Sequence, residues 1–112
     1  WSWDGDQYVQ KFDLPRSSGT WMEYPVVADV DNDGSAEILV VSRSDAAALQ
    51  VFGDADDRWI QARRIWNQHG YNVTNVREDG TIPTEPLNNW EYFNTFRANS
   101  QIEGGVPCEP PG

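Results

Sequence analysis

The segment from residue 29 to residue 37 has the residue types and spacing of a calcium-binding loop. Its acidic side chains come at alternate positions and at the end of the run: Asp29, Asp31, Asp33 and Glu37. Ca²⁺ takes about 6–8 oxygen ligands, so a chain that curls around it needs carboxylates at every second position. Gly34 stands where the chain must turn sharply, and glycine accepts a positive φ at little cost. We expect the backbone carbonyl of Ser35 to complete the shell.

A loop of the EF-hand type begins in the same way but ends differently. It places a bidentate carboxylate at its twelfth position, between two helices. Here the twelfth position is Val40, and the last acid, Glu37, is the ninth. The flanks, residues 25–28 and 38–42, are short runs rich in β-branched residues, which favour strands. The sequence therefore predicts a calcium loop between two β-strands. The alternative is a metal-free acidic turn, because Asp, Asn and Gly are common in turns.

Residues 25–41, which include this loop, resemble the FG-GAP (VCBS-like) repeat, the blade unit of integrin-type β-propellers. The resemblance implies Ca²⁺ as the bound ion and assigns its ligands: Asp29, Asp31, Asp33, the Ser35 carbonyl and Glu37. The family more often has Asp at the ninth position, where this chain has Glu. Residues 59–69, 79–83 and 88–90 resemble the segment that follows the final repeat in large secreted bacterial FG-GAP proteins. That likeness implies an extracellular, cell-surface or periplasmic location.

The wider pattern predicts an all-β fold of antiparallel strands. Residues 1–12 carry an Asp-Gly turn between alternating aromatic residues, which is a strong hairpin signal. Four further strands are expected at residues 26–30, 37–42, 49–52 and 59–66. Because a propeller blade has four antiparallel strands, these four make one blade, and the hairpin would be the outer half of a preceding blade. The second of the four is continuously apolar, which predicts burial on both of its faces.

We expect one β-domain over residues 1–100, with about one and a half blades. Its parts are the outer hairpin at 1–20, the calcium-binding blade at 21–66 and an irregular, asparagine-rich segment at 67–100. Asn88 and Asn89 are expected to cap a short helix. The aromatic residues of that region, expected to pack against the blade, are Trp90, Phe93 and Phe96. Residues 101–112 have the composition of a linker-like tail. They include the one cysteine, Cys108, which is expected to be either a free thiol or paired, with another chain or with a region outside this fragment.

The charge balance excludes some classes of partner. With 18 Asp and Glu against 8 Lys and Arg, the chain carries a net charge of −10. That balance argues against nucleic acid and against anionic membrane surfaces, because both attract basic patches. No apolar run approaches the ~20 residues of a membrane helix, so we expect no membrane insertion. Trp1 already lies in a predicted strand, and any targeting sequence is expected upstream.

Aromatic residues allow a functional and a structural interpretation. The six Trp side chains can stack sugars when they are exposed beside amides, or they can form the core of a small β-domain, which is the favoured interpretation. The best candidate for a sugar-binding surface is the polar and aromatic run of Trp66, Asn67, Gln68, His69, Tyr71 and Asn72. As the only histidine, His69 argues against a zinc site and is expected to be a hydrogen-bonded structural residue.

Two clusters of charge also have structural interpretations. Arg63 and Arg64 lie among many acids, so we expect them in surface ion pairs. The second acidic cluster, formed by Asp54, Asp56 and Asp57, is expected to be a turn. A glycosidase needs two carboxylates across a cleft, and no pair in this sequence is placed in that way by its spacing.

The sequence thus predicts a non-enzymatic, calcium-binding module that serves structure, adhesion or assembly in a secreted or cell-surface protein. One and a half blades leave strand edges open, and open edges recruit further strands. The expected partners are other copies of the chain or the remaining blades of a larger protein. Two alternatives stay open. One is a carbohydrate-binding module, and the other is an accessory part of a polysaccharide-degrading enzyme whose catalytic residues lie elsewhere.

Overall fold

A computed structural model describes residues 1–13, 15–19, 21–43, 47–103 and 106–107 of the chain. Within them the fold is mostly β, with three small antiparallel sheets and one short helix. The elements in chain order are β1 (Ser2–Trp3), β2 (Tyr8–Val9), β3 (Val26–Ala28), β4 (Glu37–Val41), β5 (Leu49–Phe52), α1 (Asn89–Tyr92), β6 (Ile102–Glu103) and β7 (Val106–Pro107). The all-β prediction is confirmed at this level.

The N-terminal hairpin of β1 and β2 forms where the Asp-Gly signal predicted it. Asp4 Oδ1 accepts hydrogen bonds from the backbone amides of Asp6 at 3.0 Å and Gln7 at 2.9 Å. Gly5 has a φ of 109°, which only glycine adopts without strain. The amide bonds to its carboxylate lower the pKa of Asp4. Local turn chemistry is therefore sufficient to explain this element.

The central sheet has the order β3-β4-β5, with antiparallel pairing throughout. Its register puts Val26, Leu39 and Val51 on one face. Both faces of the sheet are apolar but only half-covered. In β4, the middle residues are half-buried and the last residue, Val41, is exposed. The prediction that β4 is buried on both faces is therefore wrong. β3 ends at Ala28, two residues earlier than expected, and β4 ends at Val41, one residue earlier than expected.

The two edges of this sheet differ. At β3, the side-chain amide of Asn99 donates to the carbonyl of Val27 at 3.0 Å, and the backbone amide of Asp29 donates to the carbonyl of Arg63 at 3.3 Å. At β5, no strand pairs with the outer edge among the described residues. Within the described chain, the sheet therefore has one covered edge and one edge without a strand partner.

The fourth strand, predicted at residues 59–66, is absent, and that prediction is wrong. Only Ala62 makes a β-bridge, to Gln101. The reason lies in the hydrogen-bond partners of the segment's backbone carbonyls. The carbonyl of Trp59 accepts from the Ser35 hydroxyl at 3.3 Å, and that of Gln61 accepts from the amide of Ile102 at 3.1 Å. A segment that shares its backbone groups among several partners cannot form a ladder with one.

The core lies mainly in the chain around Tyr71 rather than between sheet faces. The buried apolar side chains are small apart from one: Ala28, Ala36, Ala62, Val73, Val76 and Tyr71. No Trp is among them. Four of the tryptophans are exposed, namely Trp1, Trp3, Trp21 and Trp90. The prediction that tryptophan forms the core is therefore wrong for this part of the fold.

The helix α1 begins after Asn88, as the sequence predicted. The Asn88 side chain does not cap it, however, because its Nδ2 donates to Glu91 Oε1 at 3.0 Å. The prediction that the aromatic residues of this region pack against the sheet is wrong for Trp90 and Phe96, which are exposed. Phe93 is half-buried.

The C-terminal part of the described chain has regular structure where a linker was expected. β6 pairs with β7, so residues 102–103 and 106–107 form a two-stranded sheet. Cys108, with its two predicted alternatives, lies outside the described residues.

Replacing Tyr71 by Phe should lower the free energy of unfolding by about 1–3 kcal/mol, because it leaves buried groups without a partner. The Tyr71 hydroxyl donates to Asn99 Oδ1 at 3.0 Å and accepts from Arg63 Nη1 at 3.2 Å. Urea unfolding followed by circular dichroism measures the change. The matched control is Tyr8→Phe, at an exposed tyrosine whose hydroxyl makes no hydrogen bond to the described residues, which should change stability by less than about 0.5 kcal/mol. Equal stability of the two variants would contradict the prediction.

Candidate metal site

Three carboxylates of the acidic loop lie together. Asp29, Asp31 and Glu37 each place one oxygen within 4.8 Å of the others. Asp29 and Glu37 are each 7% exposed, whereas Asp31 is on the surface. The group is thus shielded from solvent at Asp29 and Glu37 and accessible to solvent at Asp31. Such a group can hold a metal ion.

The central sheet sets the distance between the two buried carboxylates. Asp29 follows the last residue of β3, and Glu37 is the first residue of β4, directly opposite Ala28. Glu37 Oε2 also accepts the backbone amide of Val30 at 2.9 Å, which fixes its side chain over the start of the loop. Strand pairing therefore brings together two acids that are eight residues apart in the sequence.

Between these two acids the backbone folds inward. Asp29 Oδ1 accepts the amide of Asn32 at 2.6 Å, and its Oδ2 accepts the amide of Gly34 at 3.1 Å. Asp31 Oδ1 accepts the amide of Asp33 at 3.2 Å. Asn32 and Gly34 have φ values of 65° and 96°, in the left-handed region that glycine and asparagine tolerate best. The predicted sharp turn at Gly34 is present.

These amide bonds would serve a metal-free acidic turn as well as a metal site. The carboxylates are close enough to repel one another. Burial, and after it the charges of Asp31, Asp33 and Asp29, raise the pKa of Glu37. Like charges about 4–5 Å apart repel by about 3–4 kcal/mol at an effective dielectric constant of 20. A bound cation would remove that cost.

Two members of the predicted ligand set are not in this group. Asp33 Oδ1 accepts the amide of Ser35 at 2.7 Å. The Asp33 carboxylate also lies beside Asp57, since its charge is the largest cause of the raised pKa of that residue. Ser35 is buried, and its hydroxyl bonds to the carbonyl of Trp59. Coordination by Asp33 and by the Ser35 carbonyl therefore stays a prediction.

Sequence reasoning missed the neighbours of the loop. The charges of Asp33 and Asp31 and a side-chain hydrogen bond to Asp33 raise the pKa of Asp57, although 24 residues separate it from Asp33. On another side, Arg64 Nη1 donates to Asn32 Oδ1 at 3.0 Å. No local pattern could reveal either contact, because both depend on how residues 57–64 cross the loop.

The turn predicted at residues 54–57 is confirmed. The amide of Asp57 donates to the carbonyl of Asp54 at 3.0 Å. Arg58 follows the turn and forks onto the carboxylate of Asp54, with Nε at 2.8 Å and Nη2 at 2.9 Å. Asp56 lies 3.4 Å from the same guanidinium. These acids are thus balanced locally by one arginine.

Aromatic residues of the run proposed as a sugar-binding surface pack on one another, although only Tyr71 of that run is buried. Trp66 stacks on the fully buried Tyr71, with ring centroids 4.8 Å apart. Tyr24 packs against Trp66 and bonds to His69, its hydroxyl lying 3.2 Å from Nδ1. The structural interpretation of His69 is confirmed. Arg97 covers the ring of Tyr24 at 4.2 Å.

Arg63 lies in surroundings that differ more from the prediction than those of any other residue discussed above. We expected a surface ion pair, but this arginine is 3% exposed. It does pair with Glu78, and its other donors bond to the Tyr71 hydroxyl and to the carbonyls of Val73 and Val76. The sequence carried no signal for this burial, because all four of its partners lie in irregular chain.

Comparisons of the chain with protein-family models, with curated proteins and with solved structures found no match. The FG-GAP resemblance of residues 25–41 accordingly stays a prediction from the sequence. Within the described part of the chain, no helix has the length and apolar character that crossing a bilayer requires.

The Asp54 carboxylate should titrate well below the ordinary pKa of an aspartate. Hydrogen bonds from the side chain and then the backbone of Arg58 lower its pKa from 3.8 to about 2. A lowered pKa means that Asp54 adds stability above its unfolded pKa, and that this contribution is lost as the pH falls through about 2. Carboxyl ¹³C shifts against pH measure the midpoint. Arg58→Gln should raise it part of the way to 3.8, since the backbone bond remains; an unchanged midpoint would contradict the assignment.

Proposed function

We propose that this chain is a calcium-stabilised structural module of a secreted or cell-surface protein, serving adhesion or assembly without enzymatic activity. One observation carries the proposal: the carboxylates of Asp29, Asp31 and Glu37 lie within 4.8 Å of one another at the junction of two paired strands. The FG-GAP resemblance of residues 25–41 supports the same role.

The donor set favours calcium over other metals. All three grouped side chains offer oxygen, and hard cations such as Ca²⁺ prefer oxygen ligands. Zinc sites use His and Cys, and His69 bonds instead to Tyr24. Mg²⁺ demands near-ideal octahedral geometry, which a loop with one exposed carboxylate does not impose. Asp33 and the Ser35 carbonyl are the proposed further ligands.

The proposed role of the ion is to hold β3 and β4 together at the loop. Glu37 sits opposite Ala28 in the register of these strands, next to Asp29. Without a cation, the two buried carboxylates repel across this pair. With a cation, the same carboxylates become a link between the strands.

We further propose that the central sheet is part of a propeller blade that is completed by another chain or by further blades. The outer edge of β5 supports this, because it has no strand partner among the described residues. β5 also lacks the charged residues and prolines that proteins place on edge strands to prevent pairing. Exposed aromatic residues on the hairpin, such as Trp1 and Tyr8, offer further contact area.

The Asp31→Asn variant should bind Ca²⁺ at least about tenfold more weakly than the parent chain, since it removes one charged ligand but keeps an oxygen of the same shape. Calorimetric titration of metal-free protein measures binding. Asp6→Asn is the control, because Asp6 is exposed, lies outside the carboxylate group and loses the same charge. Saturating Ca²⁺ should also raise the melting temperature, with a stabilisation of about 2.7 kcal/mol at a hundredfold excess over the dissociation constant. Equal binding by both variants, or a melting temperature indifferent to chelator, would refute the site.

The purified chain should associate with itself in the presence of Ca²⁺, and Val51→Lys should weaken that association, because a charge on an edge strand opposes pairing. Val51, in β5, is 46% exposed; Ile82 lies outside the sheets, is 55% exposed and gives the matched control Ile82→Lys. Sedimentation velocity over a range of concentrations measures the change. A parent chain that stays monomeric, with a well-dispersed amide spectrum, would argue for a self-contained β-domain instead.

A further inference from the structure

A cavity of about 320 Å³ lies between residues 70–75 and residues 86–96. Five of its eleven lining residues are asparagines, two are the aromatic residues Trp90 and Phe96, and none carries a charge. Three other cavities in the described part of the chain each include at least one charged side chain. In a chain with a net charge of −10, a neutral, amide-rich lining needs an explanation.

The most buried of these asparagines has an unused donor. Asn89 is 5% exposed, and its Oδ1 accepts two bonds from Thr95, from the amide at 3.2 Å and from the hydroxyl at 2.9 Å. Its Nδ2 has no partner among the hydrogen bonds of the described residues. No fully buried side-chain nitrogen or oxygen of those residues lacks a partner. The Asn89 Nδ2 therefore reaches accessible space, and Asn89 is one of the residues that line the cavity.

Other amides around the cavity also have free groups. Asn72 Oδ1 accepts from the amide and hydroxyl of Thr74, which leaves its Nδ2 without a partner in the described chain. Asn88 donates through Nδ2 to Glu91, which leaves the Asn88 Oδ1 without a donor in the described chain. No hydrogen bond of the described residues involves the Asn94 side chain. The cavity thus offers both donors and acceptors.

The aromatic residues of the cavity are exposed although the core could have used them. Trp90 is 70% exposed on α1, and Phe96 is also exposed. Neither ring makes a ring-to-ring contact with another described aromatic residue. Large apolar faces that remain in water beside a polar cavity indicate a site for a ligand with both apolar and polar surface.

We propose that this cavity binds a neutral carbohydrate. A sugar hydroxyl both donates and accepts, and the asparagine amides supply both kinds of partner. The C–H face of a sugar ring would stack on Trp90. The uncharged lining offers no cation to a phosphate or carboxylate, and the negative charge of the chain opposes anionic ligands. The volume lies in the range of small-molecule sites, which begins at about 300 Å³.

This site shares no residue with the carboxylate group of Asp29, Asp31 and Glu37, so it does not depend on the proposed function. It also differs from the surface that the sequence favoured for sugar. Of that run, only Asn72 lines the cavity, while Trp66 and Tyr71 stack on each other outside it.

The test is a titration of the full, calcium-loaded chain followed by ¹H–¹⁵N spectra, which resolve the indole N–H groups. The probes are four neutral disaccharides, namely cellobiose, xylobiose, maltose and N,N′-diacetylchitobiose, and one anionic disaccharide, digalacturonate. At least one neutral probe should shift the Trp90 indole in a saturable way and leave that of Trp21 unchanged. Trp21 is 92% exposed and does not line the cavity, so it reports non-specific contact.

Two variants in the site should weaken the binding of that probe at least about tenfold, the factor that a lost hydrogen bond or ring contact gives. Trp90→Ala removes the stacking face. Asn94→Gly removes an amide and keeps the backbone, because Asn94 has a φ of 51°. Trp21→Ala should bind as the parent does. The proposal is overturned if no neutral probe shifts the Trp90 indole, if digalacturonate binds as tightly as the best neutral probe, or if Trp21→Ala loses as much affinity as Trp90→Ala.

Discussion

The buried guanidinium of Arg63 is the interaction on which much of this fold depends. A cation with only 3% of its surface in water is costly unless its donors are all used. Its Nε pairs with Glu78, Nη1 donates to the Tyr71 hydroxyl and to the carbonyl of Val73 at 3.2 Å each, and Nη2 donates to the carbonyl of Val76 at 2.8 Å. Residues 71–78 have no strand or helix of their own, and these bonds take the place of a ladder in holding them.

The backbone of the same residue extends this network to the acidic loop. Its carbonyl accepts the amide of Asp29 at 3.3 Å and the Nδ2 of Asn99 at 2.7 Å. Asn99 also bonds to the Tyr71 hydroxyl and to the carbonyl of Val27. Through these hydrogen bonds, Arg63 connects the candidate metal ligands, the covered edge of the central sheet and the irregular C-terminal segment. Disorder at any of the three should be felt by the other two.

The parts of the fold that could be predicted are those that short-range chemistry decides. The Asp4-Gly5 turn, the strand at 49–52 and the start of α1 after Asn88 depend on residues within a few positions of each other. The grouping of Asp29, Asp31 and Glu37 follows from alternate spacing and from one strand pair. What could not be predicted depends on distant chain. Residues 59–66 have the composition of a strand, but their carbonyls bond to several separate segments. Arg63 is buried because carbonyls ten and thirteen residues later surround it.

The distribution of tryptophan in this fold has a practical consequence for spectroscopy. Indole emission changes on unfolding only when the ring moves from a protein environment into water. Four of the six tryptophans, Trp1, Trp3, Trp21 and Trp90, are in water already. The signal of unfolding therefore falls to Trp59 and Trp66, which are half-buried. Trp66 stacks on Tyr71 and lines a cavity together with residues of the central sheet such as Leu39, so intrinsic fluorescence will report the melting of that cluster and the loss of its packing against the sheet, above a background from indoles that are in water in both states.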